Sequence, residues 1–182
     1  MEERSFLKMK KEYMKQANSL FEKAYRDELT GLLNRYGLKE ALRQLDNEQE
    51  HAVIALDIDQ LKAVNDTYGH PIGDEVIASV AELLRKNTRA GDILARIGGD
   101  EFVLVLQKMN QPEVTLQKMQ KICKDIAQTA TDHNQTHTSC SVGIAFMKDT
   151  ATYEEVYAHA DEAMYEAKSS GRNTCILWSK EE

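Results

Sequence analysis

The sequence predicts an α/β domain, an α+β sandwich in which a mixed central sheet is flanked by helices. Three observations predict it. Helix-like and strand-like segments alternate along nearly the whole chain. The apolar run Val53 to Leu56 ends in Asp57, Ile58 and Asp59, the pattern of a buried strand that delivers carboxylates at its C-terminal end. Two further apolar stretches flank Gly98 and Gly99, the pattern of a β-hairpin.

Residues 2–25 are rich in charge and lack Gly and Pro, which predicts a helix. Leu7, Met14 and Phe21 fall seven apart, with Ala17 and Ala24 three residues after Met14 and Phe21, and Lys10 interrupts the seam. Phe6, Met9, Tyr13 and Leu20 define a second register. Two registers over so short a span leave two readings open, a dimerising helix and an amphipathic helix packed on its own domain. Asp27 to Gly31 reads as a turn and Tyr36 to Leu45 as a helix. After the strand at Val53, a polar loop with Gly69, Pro71 and Gly73 leads into a helix over 74–87, with Asp74 as a candidate N-cap. Ile93 to Ile97 and Phe102 to Leu106 are the hairpin strands. A helix follows Pro112 as far as Ala130, and residues 132–136 read as an irregular loop. Ser139 to Phe146 is a strand, Tyr153 to Lys168 a helix and Thr174 to Trp178 a last strand. The expected division is a helical linker over 1–25 and one catalytic-sized domain over 26–182.

Bulk properties narrow the function classes. With 182 residues, 42% hydrophobic and 29% charged, the chain fits one ordinary domain with a short appendage. A net charge of −7 argues against a nucleic-acid partner, because phosphate backbones need clustered Lys and Arg. It leaves room for a nucleotide substrate whose charge a metal ion offsets. Cys123, Cys140 and Cys175 are scattered and odd in number, so no disulfide framework or zinc site is indicated. Reduced thiols and the absence of an apolar span point to the cytoplasm, or to the cytosolic part of a membrane-bound sensor.

Three groups of residues carry chemistry. Asp57, Asp59 and Asp100, with Glu101 beside the last, are hard oxygen donors of the type Mg²⁺ prefers. Asp57 and Asp59 alternate about Ile58, so a strand points both to one face and offers the Ile58 carbonyl nearby. Solvated loop acids are the plain alternative for Asp57 and Asp59 alone. Lys62, Lys168 and Arg172 are cations suited to phosphoryl groups, although Lys168 and Arg172 also suit a helix C-terminus closed by Gly171. Asn65, Asp66, His70 and Asp74 fall in the loop and following helix start. A carboxylate and an amide there can pair with the N1–H and amine edge of guanine, which adenine lacks.

Taken together these segments resemble one family. Gly98-Gly99-Asp100-Glu101-Phe102 is an intact GGDEF motif. Four more matches run in order from Asp27 to Trp178: Asp27 to Arg35, Leu56 to Lys62 continuing through Asn65 to Asp74, Ser141 to Ala145, and Asp161 to Tyr165 with Lys168 and Gly171 to Asn173. The chain resembles the GGDEF diguanylate cyclases. That resemblance implies a fold similar to the palm domain of nucleotidyl polymerases and cyclases. It implies two Mg²⁺ ions, with Mn²⁺ as an alternative, held by Asp57, the Ile58 carbonyl and Asp100, with Glu101 close by. Asp100, Glu101 and Lys62 become the catalytic group. Asn65 and Asp74 read guanine, and Lys62, Lys168 and Arg172 hold phosphates, with His70, Gly98 and Gly99 lining the substrate. An aspartate at 74 favours GTP over ATP. Gln60 and Leu61 depart from the family's commoner residues without removing a needed group.

The implied reaction condenses two GTP into cyclic di-GMP and two pyrophosphates across a homodimer. Each domain holds one GTP, and each 3′-hydroxyl attacks the other's α-phosphate. Arg89 to Asp92 matches the family's RxxD inhibitory pattern, with five residues between Asp92 and Gly98, and implies feedback by cyclic di-GMP. A surface salt bridge between Arg89 and Asp92 is the alternative there. An upstream sensory domain is expected. The competing reading is a catalytically silent module that binds GTP or cyclic di-GMP. Another nucleotidyl transferase on the same fold is disfavoured by Asp74 and the full motif set.

Overall fold

The computed structural model describes residues 2–46, 48–134, 138–148 and 151–179. Its elements are α1 (Glu2–Tyr25), α2 (Arg35–Leu42), β1 (His51–Ile58), α3 (Leu61–Tyr68), α4 (His70–Lys86), β2 (Ile93–Arg96), β3 (Glu101–Leu106), α5 (Pro112–Asn134), β4 (Cys140–Met147), α6 (Tyr153–Ser169) and β5 (Cys175–Leu177). The five strands form one sheet in the order β2-β3-β1-β4-β5. Neighbours are antiparallel except β4 and β5. The mixed, helix-flanked sheet is the expected architecture.

β1 sits at the centre and every one of its residues is buried. Its alternation divides the core. Ala52, Ile54, Leu56 and Ile58 face one side and join Leu84 of α4 and Met119 and Ile122 of α5. Val53 and Ala55 face the other side and meet Val156, Ala160 and Met164 of α6. On that second side α2 covers the outer strands, packing Leu38 on Ala95, Val103 and Val105. Tyr153 and Tyr157 stack at 5.8 Å where the two clusters join. Each large aliphatic residue so buried contributes about 1.5–3 kcal/mol. Gly143 on β4 makes the α6 contact close. A Cβ there would run into the Ala160 carbonyl of α6. Small Ala160, Ala163 and Ala167 complete the fit on the helix side.

The junction between α1 and the domain is built by Asn34. Its Oδ1 caps α2 by accepting from the Tyr36 and Gly37 N–H groups at 3.0 and 2.9 Å. Its Nδ2 donates to the Ala24 and Arg26 carbonyls. A Cβ on Gly37 would strike the Tyr25 carbonyl, so glycine lets α2 start against the end of α1. Along α1, Met9, Tyr13, Met14, Leu20 and Phe21 are all exposed. That disfavours the helix packed on its own domain. The side chains of Phe6, Leu7 and Ala17 lie outside the described residues.

Boundaries differ from expectation in instructive places. The polar loop before residue 74 is largely helical: α3 occupies 61–68 and α4 begins at His70. Asp74 is therefore inside α4 and not its N-cap, which is Gly69 at φ 88°. Pro71 sits in the first turn of α4, where a missing N–H leaves no hydrogen bond unmade. β1 is longer than the Val53–Leu56 run because paired strands bury His51 and Asp57 with it. α2 stops at Leu42 rather than Leu45. α5 continues past Ala130 to Asn134, into the expected irregular loop, and residues 135–137 lie outside the described residues. The hairpin, α6 and β5 fall within a residue or two of their expected bounds.

Candidate active site

Asp57 is the last inward residue of β1 on the α6 side of the sheet. It pairs in register with Glu101 of β3 and with Ser141 of β4. The Ile58 N–H donates to the Asp100 carbonyl at 3.0 Å, so the hairpin tip is fastened to the strand end that carries the acids. Lys168, in the last turn of α6, reaches back to Asp57, Nζ to Oδ2 at 2.8 Å. Burial pushes the Asp57 carboxyl above its ordinary value. The Lys168 contact pulls it back, and the charges of Asp100 and Asp59 push it up again. The site is thus an acidic concentration partly neutralised by one lysine. Among the described residues, no three His, Cys, Asp or Glu side chains close on one point that would hold a metal ion. The Glu101 carboxylate instead lies over Gly98, where any side chain would collide with it.

Asp59 belongs to a different job from the one its spacing suggests. It follows the end of β1 and is 4% exposed. One oxygen accepts from Ser139 Oγ at 2.6 Å and from the Asn173 N–H at 3.1 Å, and the other from Ser141 Oγ at 2.7 Å. These bonds tie the start of β4 and the turn after α6 to the acid-bearing strand end. The turn itself runs Gly171, Arg172, Asn173 at φ 110°, 66° and 48°. The Arg172 N–H donates to the Ala167 carbonyl, closing α6 in the manner expected of the glycine stop. Asp59 thereby holds Arg172, exposed beside the site, on a fixed turn.

Asn65 comes against Gly73, the residue before Asp74, because α3 and α4 pack against each other. A Cβ on Gly73 would overlap Asn65 Oδ1, so the Asn65 amide lies directly on the Gly73 backbone. Among the described residues, Asn65 Oδ1 is a buried acceptor with no hydrogen-bond partner. Asp74, next to Gly73, is exposed. Lys62 and His70 are exposed at the starts of α3 and α4, and Leu61 opens α3 after Gln60, whose left-handed φ of 57° turns the chain out of the strand.

Arg89 and Asp92 make no ion pair with each other among the described residues. The Asp92 carboxylate accepts from the Arg89 N–H at 2.9 Å and from the Gln107 N–H at 3.1 Å. It shapes the turn before β2, and the exposed Arg89 side chain is left to solvent.

Three residues, Asp27, Arg35 and Arg96, had no role read from sequence. The Arg96 guanidinium contacts both oxygens of Asp27 at 3.1 and 3.0 Å and donates to the Gly99 carbonyl at 3.2 and 2.9 Å. Burial opposes ionisation of Asp27, but its hydrogen bonds from Thr30 and Arg96 outweigh that and hold the carboxyl below its ordinary value. Arg35 donates to the Ile97 carbonyl at 2.9 Å. The hairpin tip is therefore braced from the segment that follows α1. Their sequence signal was position: Asp27 and Arg35 open and close one of the matching stretches, and Arg96 lies 69 residues beyond Asp27.

The five-stranded, largely antiparallel sheet of this α+β domain thus carries a strand-end carboxylate, an acidic hairpin tip and a helix-borne lysine at one corner. The family model described as "Diguanylate cyclase, GGDEF domain" matches residues 24–174, and the chain belongs to that family. It is 40% identical over 161 residues to the bifunctional diguanylate cyclase/cyclic di-GMP phosphodiesterase MucR of Pseudomonas aeruginosa, covering 85% of this chain and 23% of that protein. It is 36% identical over 155 residues to the diguanylate cyclase DgcS of Shewanella oneidensis, covering 81% and 50%. The chain spans half or less of these curated relatives. Among solved structures, the coiled coil and GGDEF domain of DgcB from Caulobacter crescentus in complex with c-di-GMP superposes with a TM-score of 0.83 at 25% identity, covering 97% of this chain and 95% of that one. Diguanylate cyclase SiaD of Pseudomonas aeruginosa, in complex with its activator SiaC, gives 0.77 at 32% identity, covering 94% and 69%.

Proposed function

We propose that this chain is a diguanylate cyclase domain that joins two GTP into cyclic di-GMP. The observation that carries the reading is the junction of Asp57, paired with Glu101 and held to Lys168 at 2.8 Å, with the Asp100 tip fastened to the Ile58 N–H. Buried like charges with a single lysine for compensation fit a cation site, and the donors are hard oxygens suited to Mg²⁺ or Mn²⁺. Asp57, the Ile58 carbonyl and Asp100 would hold the ions. The chemistry supplied by two ions held there would be polarisation of an attacking hydroxyl and compensation of charge on the leaving pyrophosphate.

The remaining work falls to the chain's own groups. The Asn65 side-chain amide is the group that would pair with the guanine edge. Asp74 accepts from the same edge and excludes adenine. Lys168, Arg172 and Lys62, with the N–H groups opening α3, draw the phosphates to the acidic corner. Glu101 stands beside that corner as a proton acceptor. One domain presents one nucleotide, so turnover needs a second copy facing the first. The exposed apolar residues of α1 support pairing through that helix. Arg89, free to fork onto a guanine or phosphate, and Asp92 form the feedback site for the product. Among the described residues no helix is long and apolar enough to cross a membrane. The reading is of a cytoplasmic domain under the control of a separate sensory part.

The test is nucleotide choice. The purified chain is given GTP or ATP with Mg²⁺, and pyrophosphate release is followed. Release from GTP alone, lost in Asp57→Ala, is expected. Equal release from ATP would contradict the roles given to Asn65 and Asp74.

A further inference from the structure

The three cysteines, remote from one another in sequence, meet in the fold. Cys123 of α5 is the middle member. Its Sγ lies 3.2 Å from Cys175 Sγ of β5 and 3.2 Å from Cys140 Sγ of β4. Such sulfurs are unbonded neighbours that need to close by only about 1.1 Å to reach the disulfide length of about 2.05 Å. They differ in access. Cys140 is fully buried at 0% exposure, whereas Cys123 and Cys175 are 4% and 8% exposed. Both of the latter line a surface hollow of about 350 Å³, together with Gln120, Lys124, Asn173 and Thr174. That volume admits a small molecule, and the hollow brings it to one pair of the three thiols.

The same hollow borders the turn that serves the phosphate side of the site. Cys175 follows Asn173 and Thr174 directly. The Asn173 N–H is bonded to Asp59, and the Thr174 carbonyl accepts from the Val142 N–H at 3.0 Å. Arg172 and Asn173 hold left-handed backbone angles that non-glycine residues adopt only under constraint. A covalent tie from Cys175 to α5 pulls on a segment already restrained at Asp59.

From this geometry we infer that Cys123 and Cys175 form an oxidation site, which takes a peroxide-class oxidant through the hollow and closes to a disulfide that displaces the Arg172 turn. One thiol sulfur attacks a peroxide oxygen, the O–O bond breaks, and a sulfenic acid and one water result. The second sulfur displaces the sulfenic oxygen as a second water and the S–S bond forms. The two thiols lose two electrons and two protons, and the peroxide gains them. Hydrogen bonding to a neighbouring thiol, with burial, pushes both thiols above their ordinary range, so thiolate is scarce and the site responds to sustained oxidant.

The experiment treats the whole chain with hydrogen peroxide in native buffer, quenches it, alkylates in denaturant and maps the peptides. Exposed Met9 and Met14 report by sulfoxide formation that oxidant was present. The expected result is a Cys123–Cys175 cross-linked peptide, an alkylated Cys140 and full reversal by dithiothreitol. Three alkylated cysteines beside oxidised Met9, or a cross-link to Cys140, would overturn the site. Cys175→Ala, checked for folding by thermal melting, should lose the cross-link. The wild-type map decides the matter even where that variant fails to fold. Only the coupling to Arg172 rests on the cyclase reading. It predicts a severalfold rise in KM for GTP in the cross-linked chain, restored by dithiothreitol, and an unchanged KM would overturn the coupling while leaving the mapped site intact.

Discussion

Asp59 is where spacing and structure assign different work, so its replacement tests the account sharply. Asp59→Ala removes a buried carboxylate that accepts three hydrogen bonds, two of them at 2.6 and 2.7 Å, in the short range of charge-assisted O–H donors. Each such bond contributes about 1.5–3 kcal/mol, and the stranded Ser139, Ser141 and Asn173 donors partly recover by binding water that enters the space. The expected net loss is about 3–5 kcal/mol. For a chain of this length that lowers Tm by about 10 °C. Untying the Asn173 N–H also frees the Arg172 turn, and loss of one phosphate contact of about 1.4 kcal/mol raises KM for GTP about tenfold. Thermal melting by circular dichroism reads the first effect, and GTP titration at saturating Mg²⁺ reads the second. An unchanged Tm combined with a higher Mg²⁺ requirement would refute the reasoning and return Asp59 to the metal site.

Gly73→Ala should drive the Asn65 amide off the α4 backbone, raising KM for GTP with little change in Tm, whereas unchanged nucleotide affinity would remove Asn65 from the base site. Lys168→Ala strips the cation from Asp57, and two readouts should move in opposite senses: less Mg²⁺ for half-maximal activity and a higher KM for GTP. A double-mutant cycle on Asp27→Asn and Arg96→Ala should give a coupling of about 1–3 kcal/mol for this half-buried pair, measured by denaturant unfolding. Because the Asp27 carboxyl is held below its ordinary value, that coupling is full at neutral pH and fades as pH falls through and below the ordinary carboxylate range, and a pH-independent coupling would contradict the ion pair.

The sequence was most legible where one residue type has one physical use. Val53 to Leu56 reads as a buried strand because the apolar run is short, contains β-branched Val53 and Ile54 and ends in acids, and Gly98 and Gly99 mark the hairpin because the tip turns there. Gly171 marks the end of α6 for the same reason. It was least legible over 61–73. Gly69, Pro71 and Gly73 read as loop, yet Gly69 merely separates two helices, Pro71 occupies a helical first turn, and Gly73 is a packing residue under Asn65. Asp59 shared the strand alternation of Asp57, but alternation does not reveal donors from Ser139, Ser141 and Asn173, which arrive 80 to 114 residues later in the chain. The Asp27 to Arg96 brace and the meeting of three cysteines are likewise products of sheet order, and local patterns do not encode them.

On the proposed reading, the corner where Asp57 meets the Asp100 tip makes cyclic di-GMP, and two chains are needed to do it. Product identity across a protein dilution series tests it most directly. The chain is incubated with GTP and Mg²⁺ alongside Asp100→Ala, and products are resolved by chromatography with mass detection. The account predicts cyclic di-GMP from the wild type, none from Asp100→Ala, and a specific activity that falls on dilution. Guanine-nucleotide binding without any cyclic di-GMP, even at concentrations that support dimers, would contradict it and leave a silent binding module.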